Sequence, residues 1–142
     1  MTVHIDHIGI IVADLERAIE RFGPLFGKPE IVKELADVGL RVAEFHAANL
    51  RIELLQYTDS SGTDIARRTM GERLGLNHLS AQVGDIERSI AALEKQGFEA
   101  MDGFPRRGAH GQVAFFQPDD VTGLLFEICQ PDDGPVDDSV KP

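Results

Sequence analysis

Polar and apolar positions along this chain follow two rhythms, and each occurs twice. In "VHIDHIGIIV" (Val3–Val12) the positions alternate, with Ile8, Ile10 and Val12 on one side and His7, Gly9 and Ile11 on the other. A period of two predicts a strand. After Asp14 the rhythm changes. Leu15, Ala18, Ile19 and Phe22 now recur at helical spacing. Asp14 suits the N-cap, because its carboxylate accepts the free N–H groups of the first turn. Gly23 is expected to end this helix. The second round begins at "LNHLSAQV" (Leu76–Val83), continues through Asp85 to a helical face of Ile86, Ile90 and Leu93, and is expected to stop at Gly97. Four further apolar stretches, "GLRVAEF", "NLRIELLQY", "QVAFFQP" and "GLLFEICQ", are bounded by turn residues and read as strands.

The two rounds are copies. "IDHIGIIVADLERAIERF" and "LNHLSAQVGDIERSIAAL" lie 71 residues apart, so that His7 falls on His78, Val12 on Val83, Asp14 on Asp85 and Ile19 on Ile90. Each half therefore predicts β-α-β-β-β. The expected fold class is α+β, with two βαβββ modules. Module one covers residues 1–58, a linker 59–74, and module two 75–131. The linker "TDSSGTDIARRTMGER" predicts a short helix from Asp64 to Met70. The acidic, proline-bearing tail 132–142 is expected to be flexible.

The repeat extends to the last strand of each half. "RIELLQ" holds Glu53 and Gln56, and "LFEICQ" holds Glu127 and Gln130. Strand parity puts His7, Glu53, His78 and Glu127 on the faces turned away from the predicted helices. A lone strand histidine is more often a satisfied core residue than a ligand, and a strand glutamate commonly meets solvent. The matched quartet is different, because a carboxylate within an apolar strand is costly to bury unless paired or bound to metal. Two His and two Glu on one side of a curved sheet suit one divalent cation.

Composition narrows the partners. The 142 residues carry a net charge of −10, which argues against nucleic acid and anionic membranes. No apolar run approaches the roughly 20 residues of a membrane span. A single cysteine, Cys129, allows no internal disulfide, so a reducing cytoplasm is expected. Residues 1–20 lack a basic segment followed by an apolar one, so no signal peptide is expected. Nor does the chain contain a glycine-rich phosphate loop or a nucleophile with a His/Asp escort.

"DHIGIIVADLERAI", "IELLQ", "GLNHLSAQVGDIE", "PRRGAHGQVAFFQP" and "GLLFEI" resemble the vicinal oxygen chelate superfamily, which includes glyoxalases, bleomycin resistance proteins and extradiol dioxygenases. The resemblance spans residues 3–131, and its nearest branch is methylmalonyl-CoA epimerase. It implies paired βαβββ modules forming a cupped mixed sheet around a central metal site, with one metal ion held by His7, Glu53, His78 and Glu127. It also implies proton transfer at a carbon next to a carbonyl, with Glu127 as an acid/base group and an acyl-CoA or related carboxylate as substrate. Cobalt, nickel, manganese or zinc would fit. Related proteins commonly form homodimers.

Some residues depart from that pattern. The strand matching the second base places Val42 at the expected position. Glu44 stands two residues on, on the same face, either as the substitute base or as an exposed strand glutamate. "QPDD" (Gln117–Asp120) replaces a lysine-bearing stretch. Cations available to an anionic substrate are Arg67, Arg68, Arg73, Arg106 and Arg107. "RRGAHG" reads as a flexible loop, with His110 incidental or touching substrate, and Cys129 as filler. A glyoxalase I-type isomerase would use the same four ligand types. An Fe(II) extradiol dioxygenase would need two His and one Glu but not Glu53. A non-catalytic resistance protein would typically lack the set.

Overall fold

The structure, a computed structural model, describes residues 3–58, 65–118 and 120–136. Its elements follow the expected order. The first half gives β1 (Ile5–Ile11), α1 (Leu15–Phe26), β2 (Ile31–Leu35), β3 (Leu40–His46) and β4 (Arg51–Tyr57). A short α2 (Ile65–Met70) precedes the second half, which gives β5 (Gly75–Gln82), α3 (Ile86–Glu94), β6 (Arg106–Arg107), β7 (Gly111–Phe115) and β8 (Leu125–Pro131). Asp64, the expected start of α2, lies outside the described residues. The strands form one mixed sheet in the order β2-β3-β4-β1-β5-β8-β7-β6. The fold class is α+β, as the rhythms predict.

Two compact units divide the chain, residues 7–78 and residues 1–6 with 79–142. In the first, Leu15 of α1 seals a core with Ala43, Phe45, Ile52 and Leu54, joined by Ile8, Ile10, Val12, Ala18, Ile19 and Phe22. These are the helical stripe and the strand face that the spacing marks out. In the second, Ile86, Ala114, Phe116 and Ile128 play that part, with Val83, Ile90 and Leu93 packed against them.

The helix starts repeat in detail. Asp14 Oδ1 accepts from Arg17 N at 3.2 Å, and Asp85 Oδ1 from Arg88 N at 3.1 Å. Each helix has a second cap from the end of its unit's last strand. Gln56 Oε1 accepts from Leu15 N at 2.7 Å, and Gln130 Oε1 from Ile86 N at 2.9 Å. Both satisfy first-turn donors that the helix cannot pair itself. The matched glutamines of the repeat are therefore joints between strand and helix.

Two expectations need correction. Gly23 does not stop α1, which continues through Gly23 and Pro24 to Phe26. Gly27 ends it instead, with φ of 77° and its N–H bonded to Gly23 O at 2.8 Å. A left-handed φ is what terminates the turn, and Gly23 does not adopt one. "RRGAHG" is not wholly a loop either. Arg106 and Arg107 pair with Val113 and Gln112 as β6, and Gly108 N bonds Gly111 O at 2.8 Å. Gly111 lies close against β8, where an added Cβ would stand 2.0 Å from Gln130 O. Residues 132–136 are tied down by Asp132 N to His110 O and Val136 N to Gln82 Oε1, at 3.0 and 2.9 Å. The rest of that tail lies outside the described residues.

Tyr57 ends β4 and donates to Gly71 O at 2.6 Å, beneath the Arg67 guanidinium 4.5 Å from its ring centre. Burial, the largest cause, pushes its phenol from 10.0 up to about 12; Arg67 pulls the other way and Glu72 adds to the rise. The unfolded chain therefore loses this proton first. The contribution to stability is intact below pH 10 and vanishes as pH climbs through about 12. Tyr57→Phe is expected to cost about 1 kcal/mol at neutral pH. Melting curves across that alkaline window should fall less steeply for the variant; parallel curves would refute the assignment.

Candidate functional site

His7, Glu53 and His78 come together in the unit formed by residues 7–78, and all three are buried. His7 Nε2 lies 3.3 Å from His78 Nε2 and 3.5 Å from Glu53 Oε1. The rings meet edge to face, with centroids 5.3 Å apart. Local sequence explains the approach. In the parallel pairing of β1 with β4, Gly9 stands opposite Glu53. The His78 ring occupies the space over Gly9, where a Cβ would lie 2.1 Å from its Cε1. Only glycine leaves room for that ring. Gly9→Ala is expected to displace it and to cost about 1–3 kcal/mol of stability. An unchanged melting temperature would show that the ring can retreat freely.

Asn77 sets the histidine's tautomer. Its Nδ2 donates to Met70 O at 2.9 Å, which turns Oδ1 toward His78 Nδ1, also at 2.9 Å. Nδ1 of His78 therefore carries the proton, and the Nε2 lone pair faces His7 Nε2. Two imidazole nitrogens at this distance are bridged either by a proton, in an N–H···N hydrogen bond, or by a cation that takes both lone pairs. A neutral imidazole oriented by a hydrogen bond at its far nitrogen is how proteins hold metal-ligating histidines. The donor set of two imidazoles and a carboxylate fits a divalent transition metal.

Glu44 is fully buried, which overturns the reading of an exposed strand glutamate. It pairs directly with Glu53 across β3 and β4, so the two carboxylates share a face. Like charges side by side repel. The arrangement is offset by His46 Nε2, 3.3 Å from Glu44 Oε1, and by Arg51 Nη1 at 4.0 Å. On its other side Glu53 has the His7 ring. Two titratable pairs thus stand side by side, Glu44 with His46 and Glu53 with His7.

Glu127 belongs to the other unit, on β8, also buried. Its neighbours Phe126 and Ile128 point toward the α3 side, where Ile128 joins the core, so Glu127 faces away from the helix as parity predicts. It pairs with Phe115 of β7. The copies differ in what faces this glutamate: Glu53 faces Glu44 across the strands, whereas Glu127 faces Phe115. Across from Glu127 the second half thus has an aromatic ring in place of the Glu44 carboxylate. The other candidates separate cleanly. Arg67 pairs with Glu72 at 2.6 Å, and Arg107 is bidentate on Asp132. Cys129 is buried beside Val113 in the sheet, consistent with a packing role. Gly9 and Asn77 carried no signal of function in the sequence, since a glycine and an asparagine in a strand read as neutral filler.

The family described as Glyoxalase/Bleomycin resistance protein/Dioxygenase superfamily matches residues 6–116. The chain belongs to this superfamily. The vicinal oxygen chelate resemblance seen in the motifs is thereby confirmed, and the nearest branch named from them recurs among the relatives. Uncharacterized protein YqjC of Bacillus subtilis (strain 168) is 30% identical over 130 residues, covering 89% of this chain and 91% of that protein. Methylmalonyl-CoA epimerase, mitochondrial, of Dictyostelium discoideum is 26% identical over 130 residues, covering 87% and 76%. The crystal structure of methylmalonyl-CoA epimerase from Mycobacterium tuberculosis matches with a TM-score of 0.76 at 30% identity, covering 90% of this chain and 87% of that one. Among the described residues, no helix is long and apolar enough to cross a membrane.

Proposed function

We propose that this superfamily member is a metal-dependent epimerase acting on an acyl thioester such as methylmalonyl-CoA. One observation carries the reading: two buried imidazole nitrogens face each other beside Glu53, over a glycine that makes room for them. Glu127 is proposed as the remaining ligand. Support comes from the internal repeat, which puts it where Glu53 stands in the first half, and from the donor types of His7, His78 and Glu127, all buried. The names of the epimerases from Dictyostelium discoideum and Mycobacterium tuberculosis point the same way.

The bound cation would lower the cost of negative charge developing on the thioester oxygen. The chain's own part is to move protons. Epimerisation removes the proton from the carbon between two carbonyl groups and returns one to the opposite side. Two acid/base groups are needed, and Glu44 and Glu127 are proposed for them. Glu44 is shielded from water, and His46 and Arg51 hold its carboxylate. Burial of this second base favours the epimerase over a glyoxalase-type isomerase, although both would use two His and two Glu. Glu53 held against His7 counts against a three-ligand Fe(II) dioxygenase.

The test is solvent exchange. Cobalt-loaded protein incubated with methylmalonyl-CoA in deuterated water is expected to exchange the α-hydrogen and scramble the configuration. Absence of exchange with cobalt, nickel, manganese and zinc in turn would reject the epimerase. Oxygen uptake with catechols would replace it by the dioxygenase.

A further inference from the structure

Arg106 is one of two adjacent arginines that the strand pairing sends opposite ways. Arg107 is exposed and held by both oxygens of Asp132, whose carboxyl lies below the usual range because of that hydrogen bond. Arg106 pairs with Val113 of β7, and Val113 pairs with Cys129 of β8. The three form a row on one face. Phe115 and Glu127 form the next row on that same face, turned away from the core of Ala114, Phe116 and Ile128. Arg106 is half-buried, and its Nε is buried with no hydrogen-bond partner among the described residues.

A guanidinium Nε–H that gives up water without finding an acceptor loses solvation for nothing in return. The chain carries a net charge of −10, yet among the described residues no acceptor meets this buried Nε. Its geometry suits one kind of ligand. Guanidinium is a planar fork that matches a carboxylate or phosphate with two parallel hydrogen bonds. Two strand spacings and one pleat separate Arg106 from Glu127, roughly 12 Å between Cα atoms from standard sheet dimensions. An extended arginine spans much of that distance. It would meet a charged group on the acyl part of a substrate whose reacting carbon lies at Glu127, rather than a group at the far end of a coenzyme.

We propose that Arg106 is a specificity-determining residue that binds the free carboxylate of a dicarboxylic acyl thioester. This rests on the epimerase reading and deepens it, since it requires the substrate to carry a second acidic group next to the reacting carbon. Arg107, already held by Asp132, takes no part.

Binding to metal-loaded protein, measured by calorimetry, separates the sources of negative charge. Methylmalonyl-CoA has the carboxylate and the phosphates, methylmalonyl-pantetheine only the carboxylate, and propionyl-CoA only the phosphates. Arg106→Gln is expected to weaken the first two by about 10- to 100-fold, the loss of a charged hydrogen-bonding pair. Propionyl-CoA should change less than about twofold, and Arg106→Lys should fall between. Arg107→Gln should match the wild type with all three. Losses confined to the two coenzyme A compounds would assign Arg106 to phosphate and overturn the proposal. Equal affinity of Arg106→Gln and wild type for methylmalonyl-pantetheine would also overturn it. The Arg106 Nε–H resonance of wild-type protein, followed during titration with malonate, gives a readout free of turnover and of variant folding. It is expected to move downfield, and a resonance that does not move rejects the carboxylate site. If wild-type protein shows no α-hydrogen exchange while that resonance still shifts, the epimerase reading fails and the anion site stands.

Discussion

Purified His78→Ala protein is expected to lose its divalent metal almost completely, while the wild type retains about one ion per chain through dialysis. The reason is local. His78 contributes the nitrogen facing His7, and Asn77 holds its ring so that the lone pair points there. Removing only an outer partner of a ligating histidine costs about 10- to 100-fold in affinity, so Asn77→Ala should lose that much and His78→Ala more. A second readout is thermal. A ligand that binds only the folded state adds about 2.7 kcal/mol at a hundredfold excess over its dissociation constant. Cobalt should therefore raise the melting temperature of the wild type and leave that of His78→Ala unmoved. Binding should weaken as pH falls, because a histidine must shed its proton and a glutamate must be ionised to act as ligands. Elemental analysis finding equal metal in wild type and His78→Ala would remove the metal centre from the account.

Much of this arrangement was legible in the chain, and the legible part has a common cause. Period-two and helical spacing mark which side of each strand meets a helix, so the core residues Ile8, Ile10, Leu15 and Phe22 could be named in advance. What remained on the opposite face then had to be explained, and His7, Glu53 and His78 came out of that remainder. Matching positions in the two halves strengthened each choice. The repeat also displayed Gln56 and Gln130, yet their work as caps was hidden. It depends on where the end of a strand falls against a helix about 41 or 44 residues earlier, which no local pattern records.

Other features were illegible because they depend on space. Gly9 looks like one more small residue in a strand until the His78 ring is found above it. Gly23 looks like a helix stop, but stopping requires a left-handed φ, and Gly27 has it. Glu44 could be read as solvent-facing because alternation tells which side a residue takes and not whether that side is covered. Arg106 and Arg107 are chemically identical neighbours. Their difference lies only in the pairing of a two-residue strand.

Glu44→Gln is expected to leave metal content unchanged and to slow epimerisation severely. The proposed role needs a carboxylate that takes a proton, and glutamine keeps the shape and hydrogen-bonding reach without that ability. General acid–base groups typically contribute about 10²–10⁴-fold, so racemisation of methylmalonyl-CoA should fall by that factor. Glu127→Gln should have an effect of the same order, combined with weaker metal binding, because this carboxylate is assigned both duties. A ligating carboxylate is ordinarily a poor base, since the cation lowers its pKa. It can act only if substrate binding loosens its hold on the metal. The pair of variants separates these duties when each is tested with one stereoisomer in deuterated water. With a base on each side of the carbon, one variant should still wash deuterium into the isomer whose hydrogen faces the intact base, without inverting it. Loss of exchange for both isomers in Glu44→Gln would mean that one base does all the work. Wild-type exchange in metal-loaded Glu127→Gln would reduce Glu127 to a ligand. Glu44, buried beside Glu53 and held by His46, would then be left as the acid/base group of the site.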